Sequence, residues 1–495
     1  MVVVASAEQT SFAQAQAQTP LYDALVNYAK SDVTPFDVPG HKRGVLHSMT
    51  ATLGEMTLKM DANSMQELDL LSHPVSVIKE AQQLAAEAFH ADAAYFLVNG
   101  TTVGILAMIL ATCKPNDAIL VPRNCHKSVM NGIMLSGAMP VFIQPTVDQH
   151  FGIAHNITLE QVKKALDEHP EAKVLLITYP TYFGAMNELE EICIWAHERD
   201  MLVLVDSAHG AHLSAIQQVD AMQAGADLAT ISMHKTGGSL TQSSILLQNT
   251  TRLSQGKVQK VLNMLQTTSA SYLLMSSLDV ARRDFALYGA EQLEKLKPLF
   301  MTAIQRIDAM THYEVLKESY MHKQFGQAYD WTKLVVRVND LGLTGFEVYS
   351  LLKKEYGIQA ELAEGYVVMF VITYADTAES LNCLVYALQD LEIRYAKTQS
   401  LQLEMVVNDE INPIIMTPQQ ANYAAQEIIP IEQSIGRTSA ETIMIYPPGI
   451  PLIIPGEKIT QKVVTLYNYY NQKIGNILSE NEFPEKITVV KDEDQ

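Results

Sequence analysis

Leu202-Val203-Leu204-Val205-Asp206-Ser207-Ala208-His209-Gly210 and Leu228-Ala229-Thr230-Ile231-Ser232-Met233-His234-Lys235 share one plan: four apolar residues, then a polar cluster. Short apolar runs bounded by polar and turn residues read as buried strands of a parallel sheet. In open sheets of this kind, ligands bind beyond the carboxyl ends of the strands. The two runs therefore bring a carboxylate, Asp206, and an amine, Lys235, to one rim. The interval between them is long enough for a helix and a return strand.

The same alternation extends outward. Ala94 to Val98 is apolar and leads through Asn99-Gly100-Thr101-Thr102 into a helix reaching Cys113. Ala118 to Val121 ends at Pro122-Arg123-Asn124-Cys125-His126-Lys127. Val141 to Ile143 is short, Val174 to Ile177 leads to Thr178-Tyr179-Pro180-Thr181-Tyr182, and Ser244 to Leu247 closes the series. Strands alternating with helices imply an α/β fold with a mostly parallel sheet covered on both faces. After about Pro298 the character changes. Leu334 to Val338 and Tyr366 to Ile372 read as strands flanked by helices, a smaller α+β unit. Segments Pro418 to Glu432 and Ile443 to Gly456 follow. The expected division is an N-terminal tail over 1–18, a large domain over 19–300 and a smaller C-terminal part over 301–495. The Ala-, Gln- and Ser-rich tail reads as loose chain or a peripheral helix. Asp37 to Gly44 reads as a loop punctuated by Pro and Gly.

Composition excludes several classes. At 495 residues the chain exceeds one core, and 48% hydrophobic residues are ample for a globular fold. With 35 basic and 55 acidic residues the net charge is −20, and no basic run is present, which argues against nucleic-acid binding. The cysteines Cys113, Cys125, Cys193 and Cys383 have no CxxC spacing, so neither a disulfide framework nor a zinc knuckle is indicated. Scattered thiols fit a reducing cytoplasm. Met1-Val2-Val3-Val4 lacks the charged region of a signal peptide, and no apolar run approaches the roughly 18 residues of a membrane span.

A carboxylate and an amine on one rim are what pyridoxal phosphate needs. A lysine bonds to its aldehyde and an aspartate pairs with its ring nitrogen. Ser232 and His234, beside the lysine, can donate to its phosphate. Asn99-Gly100-Thr101-Thr102 opens a helix, whose free N–H groups and dipole suit an anion, although a helix cap is the ordinary use of such a run. The imidazole of His126 can stack on a pyridine ring, and His209 can touch the cofactor or orient Asp206. A GxGxxG fingerprint and a Walker loop are both missing.

These runs together resemble the bacterial ornithine/lysine/arginine decarboxylases, which are fold-type-I pyridoxal-phosphate enzymes. The resemblance spans Thr19 to about Asn471. It rests on Pro20-Leu21-Tyr22, Asp37-Val38-Pro39-Gly40-His41-Lys42, Leu97-Val98-Asn99-Gly100-Thr101-Thr102, His126-Lys127-Ser128 and Pro180-Thr181-Tyr182 with Gly184. It continues in the Asp206 and Lys235 motifs, Gln266-Thr267-Thr268-Ser269, Ser271-Tyr272-Leu273-Leu274-Met275, and Tyr446-Pro447-Pro448-Gly449-Ile450-Pro451 with Pro455-Gly456-Glu457. It implies that Lys235 carries the cofactor, Asp206 holds its ring nitrogen, and His126 stacks on the ring. Thr101, Thr102, Ser232 and His234 would bind the phosphate, with Thr181 among the cofactor contacts. Family sites lie at a dimer interface, so Thr268 and Ser269 would reach the neighbouring subunit's phosphate. The receiver-like N-terminal domain of the large acid-induced members is missing, as in the short biosynthetic type.

The implied function is decarboxylation of a basic amino acid, with arginine, giving agmatine and CO2, favoured over lysine or ornithine by chain length and family type. Catalytic roles fall to Lys235, Asp206 and His209. Glu361, Glu364 and Glu457 are candidates for the substrate's distal cation. Ser207 and Asn187 stand where the family usually has acidic residues, and Ala270 where it usually has Pro. These departures keep a weakly active or regulatory paralogue open, and transamination is a further alternative.

Overall fold

The structure, a computed structural model, describes residues 7–397, 399–402, 411–445, 450–473, 477–479, 481 and 485–491. Two compact units are built from interleaved segments: Met1–Ala111 with Leu204–Leu293, and Thr112–Val203 with Glu294–Gln495. The main sheet has seven strands: β1 (Ala93–Leu97), β2 (Ala118–Pro122), β3 (Met139–Ile143), β4 (Val174–Thr178), β5 (Leu202–Asp206), β6 (Leu228–Ile231) and β7 (Ser244–Gln248). Each matches an apolar run of the sequence to within about two residues. The fold is α/β with a mostly parallel sheet.

In the first unit the strand order is β1-β7-β6-β5. β5 and β6 run parallel, with Asp206 opposite Thr230, while β7 is antiparallel to both β1 and β6. The link from β6 to β7 holds one short helical turn, Met233–Thr236, in place of a full crossover helix, and β7 returns antiparallel. Helix Gly100–Thr112 is apolar on nearly every side and is accordingly buried. It lies so close to β6 that a Cβ at Gly104 would overlap the Thr230 side chain.

Two buried charges fasten the periphery of this unit. Asp69, at φ +66°, accepts from the backbone N–H of Leu70 (2.8 Å), Val75 (3.0 Å), Ser76 (2.8 Å) and Ile78 (3.2 Å). It thereby caps helix Val77–Ala88. Burial alone would raise its carboxyl, but the N–H donors of Ser76, Leu70 and Val75 outweigh that and hold it below the ordinary range. Arg282, wholly buried, donates to the carbonyls of Gln16 and Gln18 at 2.7 Å each and to Asp279 Oδ1 at 2.5 Å. Asp279 Oδ2 accepts from Leu21 N at 3.0 Å and Tyr22 N at 3.2 Å, at the start of helix Pro20–Lys30. The Ala-rich N-terminal stretch forms a helix, Ala7–Gln16, whose last residue is buried and bonds through its side chain to Leu84 O.

The second unit orders its strands β4-β2-β3, all parallel. It also holds an antiparallel four-stranded sheet, in which Lys333–Arg337 and Val367–Val371 are the central pair, flanked by Glu314–Val315 and Leu362–Ala363. Farther along, Gln426–Pro430 pairs with Lys486–Val490, and Ile443–Ile445 with Ile450–Ile453 and Ile477–Leu478. Ile431, Ile443, Ile453, Val463, Leu466 and Ile487 form the core beneath them. The Tyr446 to Gly449 part of the family motif lies outside the described residues. Among the described residues, no helix is long and apolar enough to cross a membrane.

Candidate active site

In the first unit, Asp206 is the last residue of β5, and Ser232 directly follows β6. Their strands are parallel, so both strand ends open on the same rim. Asp206 is buried and its Oδ1 accepts from Ala208 N at 3.1 Å, which folds the following turn back toward the strand end. That turn carries His209, also buried. Its Nε2 lies 2.8 Å from Lys235 Nζ. Lys235 sits in a single helical turn, Met233–Thr236, with Ser232 at the N-cap position. His209 and Lys235 therefore meet across the ends of two adjacent strands.

A second cluster lies on the same elements. Thr101 Oγ1 is in hydrogen-bond contact with Ser232 Oγ and bonds Ser244 Oγ at 3.0 Å. These three buried hydroxyls come from a helix N-terminus, the end of β6 and the start of β7. Gly100 starts the helix at φ +74°, and its N–H bonds to Gln242 O at 2.8 Å. Oriented N–H groups, a helix dipole and converging hydroxyls are the chemistry of a phosphate cradle. Thr102 is exposed beside it. His234 Nδ1 lies 3.0 Å from Ser243 O, which assigns the proton to that nitrogen. Thr268 and Ser269 are exposed, just before helix Tyr272–Asp284.

His126 and Thr181 belong to the second unit. His126 is the exposed N-cap of helix Lys127–Ser136, with Nδ1 3.2 Å from Ser128 N and 2.8 Å from Ser128 Oγ. Thr181 is buried and its Oγ1 accepts from Ala185 N at 3.0 Å. The neighbouring Tyr182 donates to Glu361 Oε1 at 2.6 Å.

The three glutamates named as partners for a distal cation have different environments. Glu457 is fully buried against Arg123, with 2.5 Å between Oε1 and Nη1. Burial pushes the Glu364 carboxyl well above its ordinary range. Glu361 is exposed. Asn187, at a position where the family usually has an acidic residue, is buried and donates to Ile157 O at 3.0 Å. The sequence reading missed Ser244, whose only signal is its place at the start of an apolar run. It also missed the Tyr182–Glu361 bond and the Arg123–Glu457 pair, which no local pattern marks.

A lysine and an aspartate at parallel strand ends, beside a hydroxyl-lined helix N-terminus, define a pyridoxal-phosphate enzyme of fold type I, and the donor set fits that cofactor. The chain belongs to the ornithine/lysine/arginine decarboxylase family, pyridoxal-phosphate-dependent carboxy-lyases acting on basic amino acids. Residues 19–327 match the Orn/Lys/Arg decarboxylase major domain, and 399–484 its C-terminal domain. The chain is 42% identical over 465 residues to an arginine decarboxylase of Bacillus subtilis (strain 168), covering 93% of this chain and 95% of that one. It is 43% identical over 451 residues to an arginine decarboxylase of Bacillus anthracis, covering 90% and 92%. The crystal structure of a Francisella novicida lysine decarboxylase shares the fold, with a TM-score of 0.82 at 20% identity over 96% of this chain and 82% of that one.

Proposed function

We propose that this protein decarboxylates arginine to agmatine and CO2 in the cytoplasm, as a homodimer or higher homo-oligomer with shared active sites. The substrate reading is supported by the arginine decarboxylases it resembles at 42% and 43% identity over nine-tenths of its length. The observation that carries the chemistry is the 2.8 Å approach of Lys235 Nζ and His209 Nε2 beside the buried Asp206. When bound, pyridoxal phosphate supplies the electron sink that takes up the electron pair left as the carboxylate departs.

The chain's own residues bind, orient and move protons. Lys235 is the amine that holds the cofactor. Asp206 keeps the ring nitrogen protonated, its carboxylate favouring the positive form at close range. His209 and Lys235 share a proton path, so either nitrogen can return a proton to the substrate carbon. Thr101, Thr102 and Ser232 donate to the phosphate. His234 joins them when its ring is doubly protonated, because Nδ1 is already directed at a carbonyl. His126 covers the ring face, and Thr181 completes the cofactor contacts. The C-terminal boundary near residue 300 separates the cofactor-carrying part from the smaller domain.

Glu361 is the best-supported partner for the guanidinium. Glu457 is already occupied by Arg123, and burial disfavours the charged form of Glu364. Glu361 is exposed and oriented by Tyr182, next to Thr181. The dimer is supported by exposed Thr268 and Ser269, and by the exposed apolar side chains of Phe36, Val45, Leu46 and Met49 within one short stretch of chain. Parallel CO2-release assays with arginine, lysine and ornithine, with pyridoxal phosphate added, test the function. Release from arginine at least tenfold above the other two, in kcat/KM, is expected. Preference for lysine or ornithine, or no release from any of the three, would overturn the proposal.

A further inference from the structure

The Pro455-Gly456-Glu457 run does more than close the C-terminal part. Gly456 adopts φ +90°, and a Cβ there would overlap the Met416 carbonyl oxygen, so only glycine makes this turn. The turn delivers Glu457 to the interior, where it is fully buried. Its Oε1 accepts from Arg123 Nη1 at 2.5 Å, and its Oε2 from Arg123 Nη2 at 2.9 Å, Asn412 Nδ2 at 3.1 Å and Ile454 N at 3.1 Å. Arg123 is buried too. Nη2 also donates to Leu452 O at 3.2 Å, and the guanidinium lies 4.4 Å from the Phe142 ring centre.

Arg123 begins the turn that ends at His126. Its N–H bonds to Ile143 O at 2.9 Å, which extends the β2–β3 pairing by one residue. Asn124 Nδ2 donates to His155 O at 3.0 Å, and Cys125 N to Pro122 O at 3.2 Å. His126 then caps the next helix. Each residue before the imidazole is thus tied down, and the tie of longest reach is the fork between Arg123 and Glu457. A bidentate pair fixes direction as well as distance. Burying one is a weak source of stability, since well-packed apolar residues often serve as well.

We propose that Glu457 is a positioning residue for His126, acting through Arg123: it sets the angle at which the imidazole meets the cofactor ring. The inference rests on the reading that His126 stacks on that ring. Its test uses the holoenzyme and reads the cofactor's visible circular-dichroism band and the dissociation constant for pyridoxal phosphate. Far-UV circular dichroism and Tm report folding. His126→Ala should displace the band and weaken cofactor binding about 10-fold, and Glu457→Gln and Arg123→Lys should shift both in the same direction, by about 10-fold in affinity. The double variant Arg123→Met/Glu457→Met should recover Tm but not the band. If Glu457→Gln folds and keeps the wild-type band and affinity while His126→Ala loses them, the inference fails and the reading of His126 stands. If His126→Ala leaves both unchanged, that reading falls and the inference with it. If Glu457→Gln does not fold, the double-Met variant and Arg123→Lys decide, a wild-type band in both overturning the inference.

Discussion

Lys235 Nζ and His209 Nε2, 2.8 Å apart, are within hydrogen-bond reach, so a proton can pass between them. Lys235→Ala should therefore remove both the covalent hold on the cofactor and the proton partner. Its visible band and nearly all turnover should vanish, as absorbance and CO2 release would record. Asp206→Asn should bind the cofactor yet decarboxylate slower by about two orders of magnitude or more, since an amide cannot favour the charged ring; single-turnover rates at saturating cofactor check this. Glu361→Gln should raise KM for arginine about 10- to 100-fold, with a smaller change in kcat, because a charge-assisted hydrogen bond is worth about 1.5–3 kcal/mol. The placement of Asp206 and Lys235 at the ends of adjacent strands was legible in the sequence because each lies at or just past a short apolar run bounded by turn residues. Ser244 was not, because nothing local separates a hydroxyl that joins a cradle from one that merely starts a strand. Arg123 and Glu457 lie 334 positions apart, beyond the reach of any spacing argument.

At the level of elements, the strands of the main sheet were readable because buried parallel strands are continuous apolar runs. The antiparallel return of β7 was not, because direction depends on what the link folds into and not on the strand's own residues. His126 reads from sequence as a strand end, yet it caps a helix. Both descriptions fit a residue in a tight strand-to-helix turn. The cap made by Asp69 yields a test of pH dependence. Its folded carboxyl lies below the unfolded value of about 3.9, so its stabilisation is complete above that pH and is lost as pH falls through the folded value. Asp69→Asn should cost about 2 kcal/mol at neutral pH. The Tm gap to wild type should then narrow below about pH 4. A gap that stays constant with pH would show that the charge is immaterial.

For the whole molecule, the change in pattern near Pro298 points to a domain boundary, whereas the interleaving of two compact units could not be read from sequence, since it depends on which distant segments pack together. The proposed dimer predicts complementation. Lys235→Ala subunits mixed with Thr268→Ala/Ser269→Ala subunits should give mixed dimers with one site free of both lesions, and activity above either parent. Sedimentation with and without cofactor should also show the cofactor favouring the dimer, by linkage. No recovery despite proven subunit exchange would remove the trans role of Thr268 and Ser269. The Arg282 clamp also sets a schedule for synthesis. Its guanidinium and the Gln16 carbonyl are separated by 266 positions. At about 5–20 residues per second, the ribosome takes roughly 13 to 53 s to supply the second half of the clamp after the first. For that interval the opening helices of the nascent chain lack their anchor. Codon usage or chaperone supply along this stretch should therefore change the yield of active enzyme without altering a single residue.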